Sequence, residues 1–251
     1  MIRMLLNGCN GKMGKVISEM AKASTNISIV AGIDKNSSGL TYPCYNHINE
    51  CEDEIDVILD FSRPDALDAL CQYSKAKNIP IVFCTTGYTQ EQLSKIHSLS
   101  EDIAVFHSAN MSIGINIINN MLRSISNMLY KDFDIEIIEK HHNQKVDAPS
   151  GTALLLANTI KDSIQEETVF TNGRNGLAKR ERKEIGIHAI RGGNIIGDHE
   201  IIFAGEGECI EIKHTAISRE VFAIGALKAC EYMYGKEKGL YSMDDVVNIS
   251  L

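Results

Sequence analysis

Between His141 and Ala153 the chain places two adjacent imidazoles, His141 and His142, an amine, Lys145, and a helix start, Pro149-Ser150-Gly151-Thr152. An imidazole, with an unperturbed pKa of roughly 6.5, can give or take a proton near neutrality. A lysine adds a point positive charge. Ser150 or Thr152 can cap a helix running into Ala153-Leu154-Leu155-Leu156-Ala157, and the unbonded N–H groups of such a helix start attract anions. Together these groups suit proton transfer to a ligand that carries a carboxylate or phosphate. A His-His pair alone is more often a surface loop, so the weight falls on its company.

A strand must deliver the imidazoles. Phe133-Asp134-Ile135-Glu136-Ile137-Ile138-Glu139 alternates as strands do, so His141 and His142 stand where it runs out into a loop, a common place for chemistry. At the N-terminus the apolar run Ile2 to Asn7 enters Gly8-Cys9-Asn10-Gly11-Lys12-Met13-Gly14, after which Val16, Ile17, Met20 and Ala21 recur at helical spacing. In a strand, glycine-rich turn and helix, the missing Cβ atoms let backbone approach a pyrophosphate on the helix N-terminus. The G-x-x-G-x-x-G spacing is longer in its first gap than the commonest dinucleotide fingerprint, and such turns also serve tight packing alone. Context supports the dinucleotide. Ile27 to Ile33 reads as a second strand ending at Asp34, about twenty residues after Gly14, where a carboxylate would meet the adenosine ribose. Lys35 follows and could accept a 2′-phosphate, so this corner suits NADH and NADPH alike; its alternative is a solvated surface charge.

Val57 to Phe61, Ile79 to Phe83 and Ile103 to Phe106 continue as strands, with helices starting near Pro64 and from about Thr89 to Leu99. Residues 36–54 are polar and read as a connection with at most a short strand or turn. The alternation predicts an α/β fold whose N-terminal part is a Rossmann-like, doubly wound parallel sheet of five strands. Ligands of such sheets bind at the carboxyl ends of the strands. Gly8, Cys9, Asn10, Gly11, Lys12, Met13, Asp34, Lys35, Cys84, Thr85, Thr86, Ser108, Ala109, Asn110 and Met111 occupy those ends and are the candidate cofactor residues.

From Ile113 the character changes. Ile113, Ile117, Met121, Ile125 and Met128 form a helical stripe that reads as core. After a helix over 151–163 comes a charged loop, Asn172-Gly173-Arg174-Asn175-Gly176 with Lys179, Arg180, Arg182 and Lys183, which reads as solvated. Strands follow at Ile185 to Arg191, Ile195 to Phe203 and Cys209 to His214. This is an α+β domain with an open mixed sheet, whose free face suits subunit contact. Arg219 to Tyr234 returns to helix and re-enters the first domain. The expected division is 1–112 with 217–251 as a dinucleotide-binding domain, and 113–216 as a substrate-binding and oligomerisation domain.

Composition narrows the classes. A net charge of -8 without a long basic run argues against nucleic acid, so an anionic substrate must be attracted locally. The seven cysteines are scattered and include no C-x-x-C pair, which argues against a disulfide framework and a zinc site and points to a reducing cytoplasm. No apolar run suits a signal peptide or a membrane span.

Gly8 to Gly14, Asp60-Phe61-Ser62-Arg63-Pro64, Thr85-Thr86-Gly87, Ala109-Asn110-Met111-Ser112-Ile113-Gly114 and above all His141 to Ala153 together resemble the 4-hydroxy-tetrahydrodipicolinate reductase family, also called dihydrodipicolinate reductase. The likeness continues through Arg191 to His199 and Gly239 to Met243. It implies NAD(P)H-dependent reduction of a small cyclic dicarboxylate on the route to diaminopimelate and lysine, by a homotetramer. On the family's pattern His141 is the general acid and Lys145 the second catalytic residue. His142, Lys145, Ser150, Gly151 and Thr152 hold substrate carboxylate, and no metal takes part. Lys12 stands where many members have Arg, Ser62 where Thr is frequent and Cys84 where Gly is frequent, which leaves cofactor preference open. Another two-domain dehydrogenase would explain the glycine turn and Asp34 but not His141 to Thr152. A non-catalytic nucleotide sensor would not need His141 and Lys145.

Overall fold

A computed structural model of the chain describes residues 1–247, which form two compact units. Unit 1 takes residues 1–113 and the returning segment from Arg219; unit 2 takes Gly114–Ser218.

Unit 1 contains β1 (Ile2–Asn7), α1 (Lys12–Lys22), β2 (Ile27–Ile33), β3 (Cys44–Tyr45), β4 (Val57–Asp60), α2 (Leu67–Lys77), β5 (Ile81–Phe83), α3 (Gln90–Leu99) and β6 (Ala104–His107). All neighbouring strands pair in parallel. Because side chains alternate along a strand, each strand feeds two cores. Met4, Leu6, Val57, Leu59, Val82 and Phe106 face α1 and the returning helix, while Leu5, Ile58, Ile81, Phe83 and Val105 face α2 and α3. Thr89 caps α3 in a full capping box with Gln92, which is why that helix begins where the apolar spacing starts.

In unit 2, α4 (Ile113–Leu129) and α5 (Gly151–Ser163) cover one face of a mixed sheet formed by β7 (Asp134–His141), β8 (Val169–Asn172), β9 (Glu184–Arg191), β10 (Gly197–Ala204) and β11 (Cys209–Ala216). The strand order is β11-β10-β7-β9-β8, with β7, β8 and β9 parallel and β10 antiparallel to both its neighbours. The chain then returns to unit 1 through α6 (Glu220–Met233), β12 (Gly239–Tyr241) and α7 (Met243–Val247). Ala223, Ala226, Ala229, Cys230, Met233 and Met243 enter the first core, and β12 extends the sheet beside β6.

The parallel sheet therefore has seven strands, order β12-β6-β5-β4-β1-β2-β3, where five are expected from the apolar runs. The two additions, β3 and β12, are edge strands too short to carry a period; β8 escapes notice for the same reason. The stripe expected to be core on α4 is also displaced. The buried face runs through Ile115, Ile118, Leu122 and Ser126, with Asn116 and Asn119, while Met128 is 64% exposed. The helix has one apolar side, but its buried face is turned toward the edge of that side which carries Asn116, Asn119 and Ser126, and spacing does not foresee that polar residues are buried.

The charged loop is tied down, not simply solvated. Arg174 and Arg180 both reach Glu136 Oε1, and His188 Nε2 lies 2.7 Å from Glu136 Oε2. Glu136 in turn lies over Gly186, where any Cβ would collide with its carboxylate.

The return of α6 depends on one small residue. A Cβ at Gly225 would collide with the Met111 carbonyl oxygen, so the helix and that backbone touch directly. Gly225→Ala is expected to cost roughly 1–3 kcal/mol through overpacking, read as a lowered urea midpoint; an unchanged midpoint would show that α6 does not set this contact.

Candidate active site

The strands of unit 1 are parallel, so the carboxyl ends of β1, β2, β4, β5 and β6 share one edge. Gly8 takes φ +79°, and a Cβ there would come within 2.6 Å of the Phe61 carbonyl oxygen. A Cβ at Gly14 would collide with the Gly8 and Cys9 carbonyls, so glycine lets α1 start hard against the turn. Gly11 caps α1 with no side chain, and the first helical turn holds no acid, so nothing on the helix itself competes for its leading N–H groups. Asp34 Oδ2 accepts the Asn10 N–H at 3.0 Å and Oδ1 the Asn36 N–H at 3.1 Å. The Asn10 side chain donates to the carbonyls of Asn36 and Ser38. The turn and the end of β2 are thus one bonded piece. A backbone cradle that side chains would fill and a carboxylate beside it fit the pyrophosphate and ribose of a dinucleotide.

The other candidate cofactor residues divide by burial. Gly11, Lys12, Lys35, Thr86 and Ala109 are exposed, and Met13 and Ser108 are half-buried. Cys9, Cys84 and Met111 belong to the core, so only their backbone can reach a ligand. Burial pushes the Cys84 thiol well above its ordinary range. Cys9 Sγ lies 3.7 Å from Cys44 Sγ, and both are thiols. Asn110 is buried, its Oδ1 accepting the Ser112 N–H just before α4, and Ser108 donates to the Asn110 carbonyl. Thr85 is buried and donates to Asp60 at 2.7 Å.

In unit 2 the alternation of β7 turns Ile135, Ile137, Glu139 and His141 to the same buried face. Glu139 is 0% exposed. A carboxylate so placed must be bonded or lose its charge. Arg191, paired with His141 across the β7–β9 register, grips both its oxygens at 2.7 Å. His141 Nδ1 lies 2.6 Å from Oε2, and the Ser150 N–H donates to Oε1 at 2.9 Å. Burial opposes the Glu139 charge, but Arg191, His141 and the Ser150 amide together outweigh it, and the carboxyl sits below its ordinary range. An ionised carboxylate only accepts, so the Nδ1 of His141 carries the proton. His141 Nε2 packs against Gly197, where a Cβ would come within 3.1 Å.

His141 itself is 8% exposed, and burial draws its pKa below the ordinary value despite Glu139, with Lys145 and Arg191 adding to the fall. His199 lies edge-on to it, ring centroids 5.2 Å apart, and burial takes its pKa down to about 3, so it stays neutral. Its Nε2 lies 3.1 Å from the Ser150 hydroxyl, which also caps α5 by accepting the Ala153 N–H. The loop after β7 is held by Gly192 N–H to the His141 carbonyl and Asn143 N–H to the Gly193 carbonyl. On it the half-buried Lys145 pairs with Asp147 at 2.8 Å, and the Gly151 N–H also helps hold the Asp147 carboxyl low.

Asp147 thus links Lys145 to the Gly151 N–H at the start of α5, the Lys145 charge acts on His141, and the Lys145 N–H donates to the His142 carbonyl; Thr152 follows in the first turn of α5. Ser150 differs from expectation: it is 1% exposed, and its hydroxyl and N–H serve His199, the helix and Glu139. Three residues went without a role in the sequence, Glu139, Arg191 and His199. For Glu139 a signal existed, since an acid on the apolar phase of a strand needs a buried partner; Arg191 and His199 stood out only as the ends of a stretch that shares the family's pattern, and their distance in the chain hid what they bond. Among the described residues no cluster of three metal-binding side chains occurs, and no helix is long and apolar enough to cross a membrane.

A parallel sheet with a glycine-lined first turn, joined in one chain to an open sheet that buries an acid–histidine pair, defines an NAD(P)H-dependent oxidoreductase of the two-domain kind. Residues 2–111 match the N-terminal and residues 114–247 the C-terminal part of dihydrodipicolinate reductase, so the chain belongs to that family. The 4-hydroxy-tetrahydrodipicolinate reductase of Clostridium novyi (strain NT) is 67% identical over 98% of this chain and 98% of its own. That of Clostridium tetani (strain Massachusetts / E88) is 61% identical over 99% and 98%. The dipicolinate-bound dihydrodipicolinate reductase from Paenisporosarcina sp. TG-14 superposes with a TM-score of 0.82 at 26% identity, covering 99% of both chains.

Removing the Glu139 charge isolates its role. Glu139→Gln leaves Arg191 facing a neutral partner and is expected to cost roughly 3 kcal/mol in urea unfolding. It also lowers the His141 pKa further, readable by histidine NMR titration. An unchanged midpoint together with an unchanged titration would remove Glu139 from both tasks.

Proposed function

We propose that the protein reduces 4-hydroxy-tetrahydrodipicolinate, or its dehydrated form dihydrodipicolinate, to tetrahydrodipicolinate on the route to diaminopimelate and lysine. The observation that carries this reading is the Glu139–His141 pair beside Lys145, in a chain whose two parts both match the reductase family. When bound, the nicotinamide supplies a hydride to the conjugated C=C/C=N system of the ring. Unit 1 is the cofactor-binding domain, and Asp34 with Lys35 beside it supports use of both NADH and NADPH. Unit 2, Gly114–Ser218, is the substrate-binding and oligomerisation domain.

His141 is the general acid. Its Nδ1–H is fixed on Glu139, so the proton it delivers comes from Nε2 of the imidazolium. Lys145, His142, the Gly151 N–H and Thr152 hold substrate carboxylate, and Ser150 supports them as the cap of α5. Binding begins when a substrate carboxylate takes the place of Asp147 on Lys145. The dianion also recharges the site: two carboxylates near His141 raise the pKa that burial lowers, so the acid form is created by the substrate it serves. The ring's hydroxyl leaves as water before or during reduction. A cytoplasmic homotetramer joined through the outer face of the unit 2 sheet accords with this reading, since Ile190 and the alternate residues of β11 are exposed there.

The test follows NADH and NADPH oxidation in parallel by absorbance, with substrate made in place by the preceding synthase from pyruvate and aspartate semialdehyde. Synthase-dependent oxidation is expected with both; none with either would refute the reading. His141→Gln should lower kcat about 10²- to 10⁴-fold with little change in NADH affinity, and Lys145→Ala should nearly abolish turnover. Normal turnover in either folded variant would refute that residue's role. The acid form is needed, so kcat/KM should fall as pH rises through the His141 pKa, below about 6.5 in the free protein. The kcat limb should lie higher, because bound substrate raises that pKa; coincident limbs would refute the recharging.

A further inference from the structure

A second buried carboxylate lies outside the reactive loop. Asp60 is the last residue of β4, 0% exposed, and its register neighbours are the last residues of β1 and β5, Asn7 and Phe83. Its Oδ1 accepts from Asn7 Nδ2 at 2.8 Å, the Ser62 N–H at 3.1 Å and the Ser62 hydroxyl at 2.5 Å. Its Oδ2 accepts from the Thr85 hydroxyl at 2.7 Å and the Tyr88 hydroxyl at 3.2 Å. All these donors are neutral. Burial leaves the Asp60 pKa above its ordinary value, and the bonds from Ser62, Thr85 and Asn7 offset only part of that rise.

An apolar residue would be the cheaper occupant of such a position. What a carboxylate does that no other side chain of its size does is accept at both oxygens. It thereby ties the loops after β1, β4 and β5 to one point. It also fixes their polarity: Ser62, Thr85 and Tyr88 each spend their only proton inward, so toward any ligand their oxygens can only accept. Ser62 and Tyr88 are half-buried and can do so.

The strand order places β2 on one side of β1 and β4 then β5 on the other. In sheets of this kind a dinucleotide crosses the end of β1, with its adenosine half toward β2 and its nicotinamide half over the other side. The pyrophosphate, which only accepts, lies on N–H groups of α1; the nicotinamide half presents donors, ribose hydroxyls and a carboxamide NH₂. We infer that Asp60 is a positioning residue for the nicotinamide half of the cofactor, acting through the hydroxyls of Ser62 and Tyr88, with the buried Thr85 hydroxyl holding its Oδ2 in place. This rests on the reading of unit 1 as an NAD(P)H site.

The experiment is a pair of titrations on the full chain, with NADH and with ADP, which lacks the nicotinamide half. In Asp60→Asn an amide NH₂ faces hydroxyl protons, and the Kd for NADH should rise about tenfold or more while the Kd for ADP stays unchanged. Thr85→Val should weaken NADH alone, and the double variant should cost less than the product of the two singles, because both break the same bond. Equal loss for NADH and ADP, no loss, or multiplicative singles would overturn the assignment. Should Asp60→Asn fail to fold, Tyr88→Phe removes one donor and leaves the carboxylate. It should weaken NADH about threefold with ADP unchanged, and an unaltered NADH Kd there would also overturn the assignment. Wild-type protein that bound neither NADH nor ADP would remove the cofactor reading itself.

Discussion

A carboxylate shut away from water must be given donors or surrender its charge, and the reactive loop of unit 2 is arranged around the way Glu139 keeps its own. Its partners come from three places: Arg191 at the end of β9, His141 on its own strand, and the Ser150 N–H at the start of α5. Strand register, imidazole orientation and helix start are therefore not independent. A slip of β7 against β9 would part His141 from Arg191 and turn the acid outward, since one residue of slip changes faces. The charge in this position also polarises the histidine without being able to take its proton, because Arg191 already holds it in the ionised form.

Unit 1 uses the same device with opposite partners. Glu139 is met by a guanidinium; Asp60 is met only by an amide, an N–H and hydroxyls. The first arrangement fixes the orientation and tautomer of an imidazole, and the second fixes the direction in which hydroxyls point. Both exploit the one property an ionised carboxylate has over an amide, that it never donates. The net charge of -8 sharpens the contrast, because a surface acidic at large would not by itself attract an anionic ligand, and any such attraction has to be local.

Much of this was legible in the residues. Alternating apolar runs with glycine between them marked the parallel sheet, and the His141 to Thr152 segment marked the loop, because both depend on neighbours in sequence. What stayed hidden depends on neighbours in space. The two-residue β3 and three-residue β12 make sense only as additions to strands already present. The inner face of α4 was hidden because its polar residues Asn116, Asn119 and Ser126 are buried while Met128 is not. Ser150 was read as a ligand contact because its type suits one, yet its hydroxyl is committed to His199 and the Ala153 N–H. Asp60 stood in plain view in an apolar run, and only the convergence of Asn7, Ser62, Thr85 and Tyr88 shows why it is there.

The insertion of unit 2 between the two segments of unit 1 sets an order in time. A growing chain has all the strands of the open sheet once residue 216 has been made, whereas the first core still lacks Ala223, Ala226, Ala229, Cys230 and Met233, and β6 still has an unpaired edge. The unit that begins first in sequence is thus the last that can close. Until α6 arrives, α1 alone covers Met4, Leu6, Leu59 and Phe106 on that side, and a nascent chain paused there exposes the rest of an apolar sheet face to any chaperone within reach.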